Sequence, residues 1–532
     1  MSASENPYTL DPFDNFCAIS GHQTLFLGEK LYITPGFARV YISPDVNRTA
    51  SSPWIRVIDL SSSFSLDQTR SVSSVLPTSI IPVDIPNVQV PAFWFDSFSS
   101  SIIYAQGVPT VEGGVIRDPS LRSFGSRGKS WIGNYDSRNQ SFAPWEEVDT
   151  PFNEQRGLAS SFRKVFDPVK RKGYIYGGSV QPDDGSTRIP NRQLLTYDAA
   201  TMIWTNGTTE PGVFDVFGTA IPYRAPRGEL LSLIFGGRLN DAQLDMDTIY
   251  IHDTESNTWH KQRTNGPMPN GRQHFCAIPI TSADNSSTQV IIYGGLGSGP
   301  YSDIFALSLP SFTWTRLEAS SPDLLPGPSS RLQPTCNIIN NHILAVFGGR
   351  NLADGDTARC DNNQNALFMY DLNEREWIMN YNASNKAIYR VPEDVYRAIG
   401  GNEFGGATRN GPPDGFDTPQ LDELFGAKTS QTPPIESDTP QTGSSRTNRR
   451  SPNIGAIVGG VVGGIIIAAI VIAYLIWRRR RKTRQTNDPS HNGLLSRPGI
   501  QAESHNGVQN ELLPIAGESQ RRTTPFRMGH DI

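Results

Sequence analysis

The chain has 532 residues, 37% of them hydrophobic, with 48 Gly and 40 Pro; it is too long for one compact core and rich in turn formers. Charge is unevenly divided: residues 478–532 hold 10 Lys+Arg and 5 Asp+Glu, which leaves 37 and 47 of the chain's 47 and 52 for residues 1–477, a net of −10 there. An acidic body of this kind speaks against a nucleic-acid partner, because such binding rests on neutralising phosphates with Lys and Arg.

Residues 1–12 (MSASENPYTLDP) are polar and contain no apolar run of the kind a secretory signal needs. Phe13–Ser20 (FDNFCAIS) is similar to His274–Pro279 (HFCAIP) and Pro334–Ile339 (PTCNII), so it is read as a strand that opens a sheet. That alignment puts Cys17, Cys276 and Cys336 at one repeat position, as small buried residues. A longer phrase then recurs. In Gln289–Leu317 an apolar run, Val290–Tyr293, ends in Gly294-Gly295; a second run, Asp303–Leu309, follows, and Phe312–Leu317 centres on Trp314. Earlier copies carry Gly177-Gly178, Tyr197-Asp198 and Trp204, then Gly236-Gly237, Asp253 and Trp259; a later one carries Gly348-Gly349, Tyr370-Asp371 and Trp377. Two degenerate copies come first: Leu31–Gly36 with Val40–Ile42 and Trp54, and Ile102–Gly107 with Tyr135-Asp136 and Trp145. The anchor glycines 36, 107, 178, 237, 295 and 349 stand 71, 71, 59, 58 and 54 residues apart. Each part has a physical role. β-Branched and aromatic runs fit strands. A glycine doublet allows positive φ and close backbone approach, an Asp closes the next hairpin, and a Trp fills the wedge between sheets.

Apolar run, Gly-Gly, Tyr-Asp and Trp in that order resemble the kelch motif, and six copies resemble an all-β, six-bladed kelch β-propeller spanning residues 13–380. In such a ring no four-stranded blade buries both faces alone, so stacking and closure supply the core. The resemblance also implies that Arg156, Arg272 and Arg331, each just before a blade's first strand, lie near the mouth of the central channel. There they either hold a carboxylate or tie loop carbonyls together. The loops 108–130, 179–193 and 350–366 are the other candidate contact surface. Within the last, Asp354, Asp356 and Asp361 miss the order of a calcium-binding EF-hand loop, and no Cys/His spacing suggests zinc; no metal or other cofactor is expected. Four Cys allow three full connectivities, of which a Cys336–Cys360 bridge within one blade is preferred.

Sequons occur at Asn47, Asn139, Asn206, Asn285 and Asn382, all before residue 454. Beyond Trp377, residues 381–408 are expected to extend the propeller, with a short helix in Lys386–Ile399 that Pro392 obstructs. Residues 409–453 are rich in Pro, Ser, Thr and Gly and read as a disordered stalk. Residues 454–477 are 24 residues without a charge, a predicted transmembrane helix. Gly455, Gly459 and Gly463 form a GxxxG stripe on it, which suits a homodimer. Arg478–Lys482 and Arg484 follow at once, a stop-transfer cluster that also suits anionic lipid, and residues 478–532 make a basic, disordered tail.

Positive charge is denser after the span than before it, where Arg446, Arg449 and Arg450 lie, so the tail is expected in the cytoplasm and the propeller outside. A propeller outside needs a route across the membrane, and the expectation is that a first exon is missing from the sequence. The arrangement is similar to that of membrane-anchored kelch proteins of filamentous fungi, which implies a surface module that binds a protein or glycan. The alternatives are a cytoplasm-facing scaffold and a copper enzyme similar to galactose oxidase. The latter needs two His, two Tyr and a Tyr–Cys link, to be drawn from His22, His252, His260, His274 and His342.

Overall fold

In the computed structural model, the sharpest copy of the repeat folds as a four-stranded antiparallel meander: Cys276–Thr281, Thr288–Tyr293, Ile304–Leu309 and Thr313–Arg316. Every residue of Ile304–Leu309 is buried, which is why that strand reads as an unbroken apolar run rather than an alternating one. Five further sheets repeat this order. Their first strands are Thr24–Leu27, Ala92–Asp96, Arg163–Asp167, Thr219–Arg224 and Thr335–Ile339, so blades one to six follow the chain, with Cys276–Thr281 opening blade five. The structure describes residues 12–426 except 44–45, 52–53, 78, 82–87, 106–107, 110–128, 151–157, 161, 182–188, 191–192, 209–216, 240–241, 319–326, 352–359 and 362–365. They belong to one unit, residues 1–432. The expected span 454–477 with its Gly455, Gly459 and Gly463, and the tail after it, lie outside the described residues. Among the described residues no helix is long and apolar enough to cross a membrane.

Six apolar clusters hold the ring, and each lies at a junction between neighbours. Blades one and two share Tyr32, Tyr104 and Trp145. Blades two and three share Trp94, Ile175 and Trp204, and three and four share Val165, Tyr176 and Ile234. Four and five share Phe235, Leu307 and Trp314, five and six share Tyr293 and Val346, and six and one close the circle with Phe347, Leu31 and Ile33. The tryptophans occupy one register. Trp204, Trp259, Trp314 and Trp377 stand on the outermost strands opposite Tyr197, His252, Leu307 and Tyr370. Trp204 and Trp314 are fully buried; Trp259 and Trp377 are half-buried.

The glycine doublets act at the same junctions. Gly177, Gly178, Gly236, Gly237, Gly294, Gly295, Gly348 and Gly349 all have φ between 61° and 98°. In each of the last three doublets the second glycine donates its N–H to the segment that precedes the next blade: Gly237 to Arg272 O at 2.8 Å, Gly295 to Arg331 O at 2.8 Å and Gly349 to Ile19 O at 2.9 Å. A Cβ on Gly295 would lie 2.8 Å from Gln273 O. Hairpins are closed by aspartates: Asp198, Asp253 and Asp371 accept from the N–H two residues on, at 2.9, 2.9 and 2.8 Å.

Four expectations change. Phe16–Ser20 does not open a blade; it pairs with Phe37–Ser43, which pairs with Val46–Ser51, in a separate three-stranded sheet. Blade one therefore takes Arg56–Asp59 as its third strand, not Val40–Ile42. Cys17 bonds Cys360, and Cys276 bonds Cys336, so Cys336–Cys360 is not formed. The reason is position: Cys276 and Cys336 stand on adjacent inner strands, whereas the N-terminal strand brings Cys17 over the loop of blade six, where Asp361 N also reaches Cys17 O at 2.7 Å. The helix expected in Lys386–Ile399 is confined to α1, Glu393–Ile399, for which Pro392 is the N-cap rather than an obstacle.

The fourth change concerns residues 409–426, assigned above to the stalk. They fold onto the ring and include α2, Pro419–Phe425, which starts at a Thr418 cap and Pro419. Leu421 and Phe425 are buried in the cluster of blades four and five. Tyr389, Val391, Val395 and Ile399 enter that of five and six, and Tyr381 that of six and one. The chain after Trp377 thus runs backwards over three junctions. Arg263 fixes it through Asp417, with Nε and Nη2 at 2.9 and 2.7 Å from Oδ1.

Two outcomes follow for denaturant unfolding. Trp314→Ala should cost ~3–5 kcal/mol, as other large aromatic-to-Ala core changes do, and Trp259→Ala less. Truncation after residue 408 should destabilise the ring at least as much as Phe425→Ala, again ~3–5 kcal/mol; unchanged midpoints would show that the strap contributes nothing.

Candidate functional site

The inner strands surround a channel of about 240 Å³ lined by all six blades. At its mouth the residues that lead into these strands are turned sharply: Gly21, Val90, Phe217, His274 and Gln333 have φ of 66°, 49°, 70°, 58° and 58°. Only the first is a glycine, so the others carry a backbone cost. It is offset by blade-to-blade hydrogen bonds, from Val90 N to Gly21 O at 2.6 Å, His274 N to Phe217 O at 2.8 Å and Gln333 N to His274 O at 2.8 Å. A collar of main chain thus rims the channel.

The wall below the collar is polar in places. His22 Nε2 lies 3.0 Å from Thr335 Oγ1. His274 packs on Phe217 with ring centroids 3.9 Å apart and the rings tilted by 37°. Lys164 reaches from blade three to donate to Pro91 O at 2.8 Å. The Cys276–Cys336 bridge completes one side. Burial holds both imidazoles neutral, each pushed down to about 3, with Arg56 and Lys164 adding to the effect at His22 and Arg238 at His274. Burial alone pushes the Lys164 ammonium down to about 7.

Of the three arginines singled out in the sequence, Arg156 lies outside the described residues. Arg272 and Arg331 are buried and hold the scaffold. Arg272 Nη1 donates to Asp303 Oδ1 at 2.5 Å and to Gly294 O at 3.1 Å, and the guanidinium lies 4.2 Å from the Tyr301 ring. Arg331 Nη1 donates to Asp361 Oδ2 at 2.7 Å and to Gly349 O at 3.4 Å, over Phe368 at 4.5 Å. Each guanidinium thus ties its blade's glycine turn to an aspartate in the following loop, which is the loop-tying role rather than an anion cradle. Asp361 is engaged there, and Asp354 and Asp356 lie outside the described residues.

The histidines are dispersed. His252 contacts Tyr176 Oη at 2.9 Å and Asn257 Oδ1 at 2.9 Å and stacks on Trp259. His260 lies on an outer strand near Thr258, and His342 sits 3.5 Å from Asp371. Only His22 and His274 line the channel. All four cysteines are in disulfides, which leaves no thiol for a Tyr–Cys link, and among the described residues no group of three His, Cys, Asp or Glu could hold a metal. Of the sequons, Asn139, Asn285 and Asn382 are exposed at turns or just past a strand, Asn206 is half-buried on an outer strand, and Asn47 lies in the strand Val46–Ser51. Lys164 went unnoticed in the sequence, although a Lys after Arg163 in a strand that should face neighbours was the available signal.

Comparison with known proteins agrees with this geometry. Residues 228–390 match the family described as the KLHDC2/KLHL20/DRC7 Kelch-repeats domain, so a kelch-repeat, six-bladed propeller is supported by sequence and topology together. The chain is 27% identical over 382 residues to a Kelch repeat-containing protein of Arthroderma benhamiae, covering 60% of this chain and 54% of that one. It is 28% identical over 169 residues to Host cell factor of Drosophila melanogaster, covering 31% and 10%, and 29% identical over 129 residues to human Host cell factor 1, covering 24% and 6%. The chain thus spans about half the length of the first relative and a tenth or less of the others.

The buried histidines set an acid response. Between pH 6.5 and 3 the unfolded chain binds protons at His22 and His274 that the folded chain does not, so stability falls as pH falls, by ~1.4 kcal/mol per pH unit for each. Melting temperatures measured from pH 6.5 to 5 should decline, and His22→Gln with His274→Gln should flatten that slope; an unchanged slope would remove both from the account.

Proposed function

We propose that this chain is a single-pass membrane protein whose kelch propeller lies outside the cell and binds a protein or glycan partner, with a basic tail in the cytoplasm. The observation that carries the reading is the engagement of all four cysteines in disulfides on a propeller that precedes a 24-residue stretch without a charge. Disulfides persist in oxidising compartments and are rare in the cytosol. The exposed Asn139, Asn285 and Asn382 support it, since each is open to a glycan. The scaffold role is supported by the way the motif residues are used: the glycine doublets, the tryptophans, Arg272 and Arg331 all serve packing. Recognition is then left to the loops and the channel mouth. The GxxxG stripe supports a dimer in the span, and Arg478–Lys482 supports contact with anionic lipid.

The test is topology. With epitope tags at both ends, protease added to intact cells should digest the N-terminal tag and spare the C-terminal one, and a glycosidase should shift the mass. A protected, unglycosylated propeller would instead make this a cytoplasm-facing kelch scaffold. Partner class would follow from probing protein and glycan arrays with the full chain in detergent; a chain ending at residue 408 would lack the strap.

A further inference from the structure

The basic groups of the channel wall are concentrated on blade three. Among the described residues the channel lining includes His22, Arg163, Lys164 and His274 and not one Asp or Glu. These four are not equivalent. Arg163 is buried and donates to Gly236 O at 2.7 Å, which fixes it in the junction of blades three and four. His22 and His274 are neutral, as described above. Lys164 is different: its one hydrogen bond among the described residues goes to Pro91 O, which leaves two N–H groups, and its other contact is the Phe162 ring at 5.8 Å. Lys164 is half-buried and no described carboxylate balances it, whereas cations drawn out of water are ordinarily paired.

We propose that the channel is a binding site for a small organic carboxylate, with Lys164 as its counter-ion. The volume agrees: a cavity of ~150 Å³ takes benzene, so this one takes roughly ten non-hydrogen atoms. Thr24, Thr219, Gln23 and Gln333 line the same space and supply neutral hydrogen-bond partners for the rest of such a molecule. The site does not depend on the topology proposed above.

Binding and protonation are coupled. The groups facing Lys164 are His22, Arg163 and His274, and none of them changes charge between pH 6 and 8, because the imidazoles are held down to about 3 and arginine stays charged. Lys164, pushed down to about 7, does change. Below that pH the ammonium is already present and the carboxylate binds it directly. Above that pH Lys164 is neutral in the free site and must take up a proton as the carboxylate enters, so affinity falls as pH rises.

Isothermal titration of the full chain in detergent, with lactate and glycerate as probes, tests this. Binding of at least one should weaken roughly tenfold from pH 6 to pH 8, with uptake of close to one proton at pH 8, read from buffers of different ionisation enthalpy. Lys164→Met should abolish binding and leave the melting temperature at or above the wild-type value, since it removes an unbalanced cation. Lys164→Arg should keep binding and lose the pH dependence, and it serves if the methionine variant does not fold. Failure of both probes at pH 6, equal binding by Lys164→Met, or a pH-independent wild type would overturn the proposal. So would binding confined to a short acidic peptide, which would place the carboxylate on a polypeptide partner instead.

Discussion

The structure depends on one constraint: every blade has two apolar faces, and neither can be left to water. Ile304–Leu309 is buried at all six positions because blade four covers one side and blade six the other. A stack of such sheets would always end in an exposed face, and closing it into a ring removes the ends. The six junction clusters are therefore the core, and no single centre exists for the chain to collapse around. Damage at one junction opens the circle, so the large aromatics at junctions count for more than their individual contacts suggest.

Closure also explains the two elements outside the repeat. The last junction joins blade six to blade one, the parts of the ring farthest apart in sequence, and no strand of either blade is exchanged across it. It is reinforced from above by Gly349 N on Ile19 O and the Cys17–Cys360 bridge, and from the outer side by Asn380–Tyr381 pairing with Phe64–Ser65. The strap then continues to the next two junctions. A disulfide across 343 residues removes much freedom from the unfolded chain, which suits a ring that must bring its ends together.

The ring was legible in the sequence because its requirements are local. A left-handed doublet such as Gly294-Gly295 can hardly be anything but glycine, and a Trp five or six residues after the end of the third strand marks the outer strand in blades three to six. What was hidden depends on distance. The similarity of FDNFCAIS to HFCAIP suggested a common place, yet the three-stranded sheet with Phe37–Ser43 decides otherwise. Cysteine pairing turns on which inner strands touch, which spacing does not reveal. Residues 409–426 have a composition that resembles a linker, and only the apolar seam between blades four and five explains why Leu421 and Phe425 are there. Arg272 and Arg331 stood out for their position, and the aspartates that engage them lie 30 or more residues away along the chain.

The same logic separates what builds the ring from what is left to act. A residue that satisfies the repeat is consumed by it: the doublets by turns, the tryptophans by wedges, the arginines by Asp303 and Asp361. Function on such a scaffold must lie where the repeat is silent. One such place is the loops between second and third strands. The other is the axis-facing side of the first strands, where side chains such as His22 and Lys164 touch the neighbouring blade yet still line open space. There the side chains differ from blade to blade, from Thr24 to Lys164 to Thr219. A lysine on that surface, carrying no balancing carboxylate among the described residues, is not explained by packing. Its partial burial works against its charge, and a partner that restores the balance is the physical reason such a residue is tolerated.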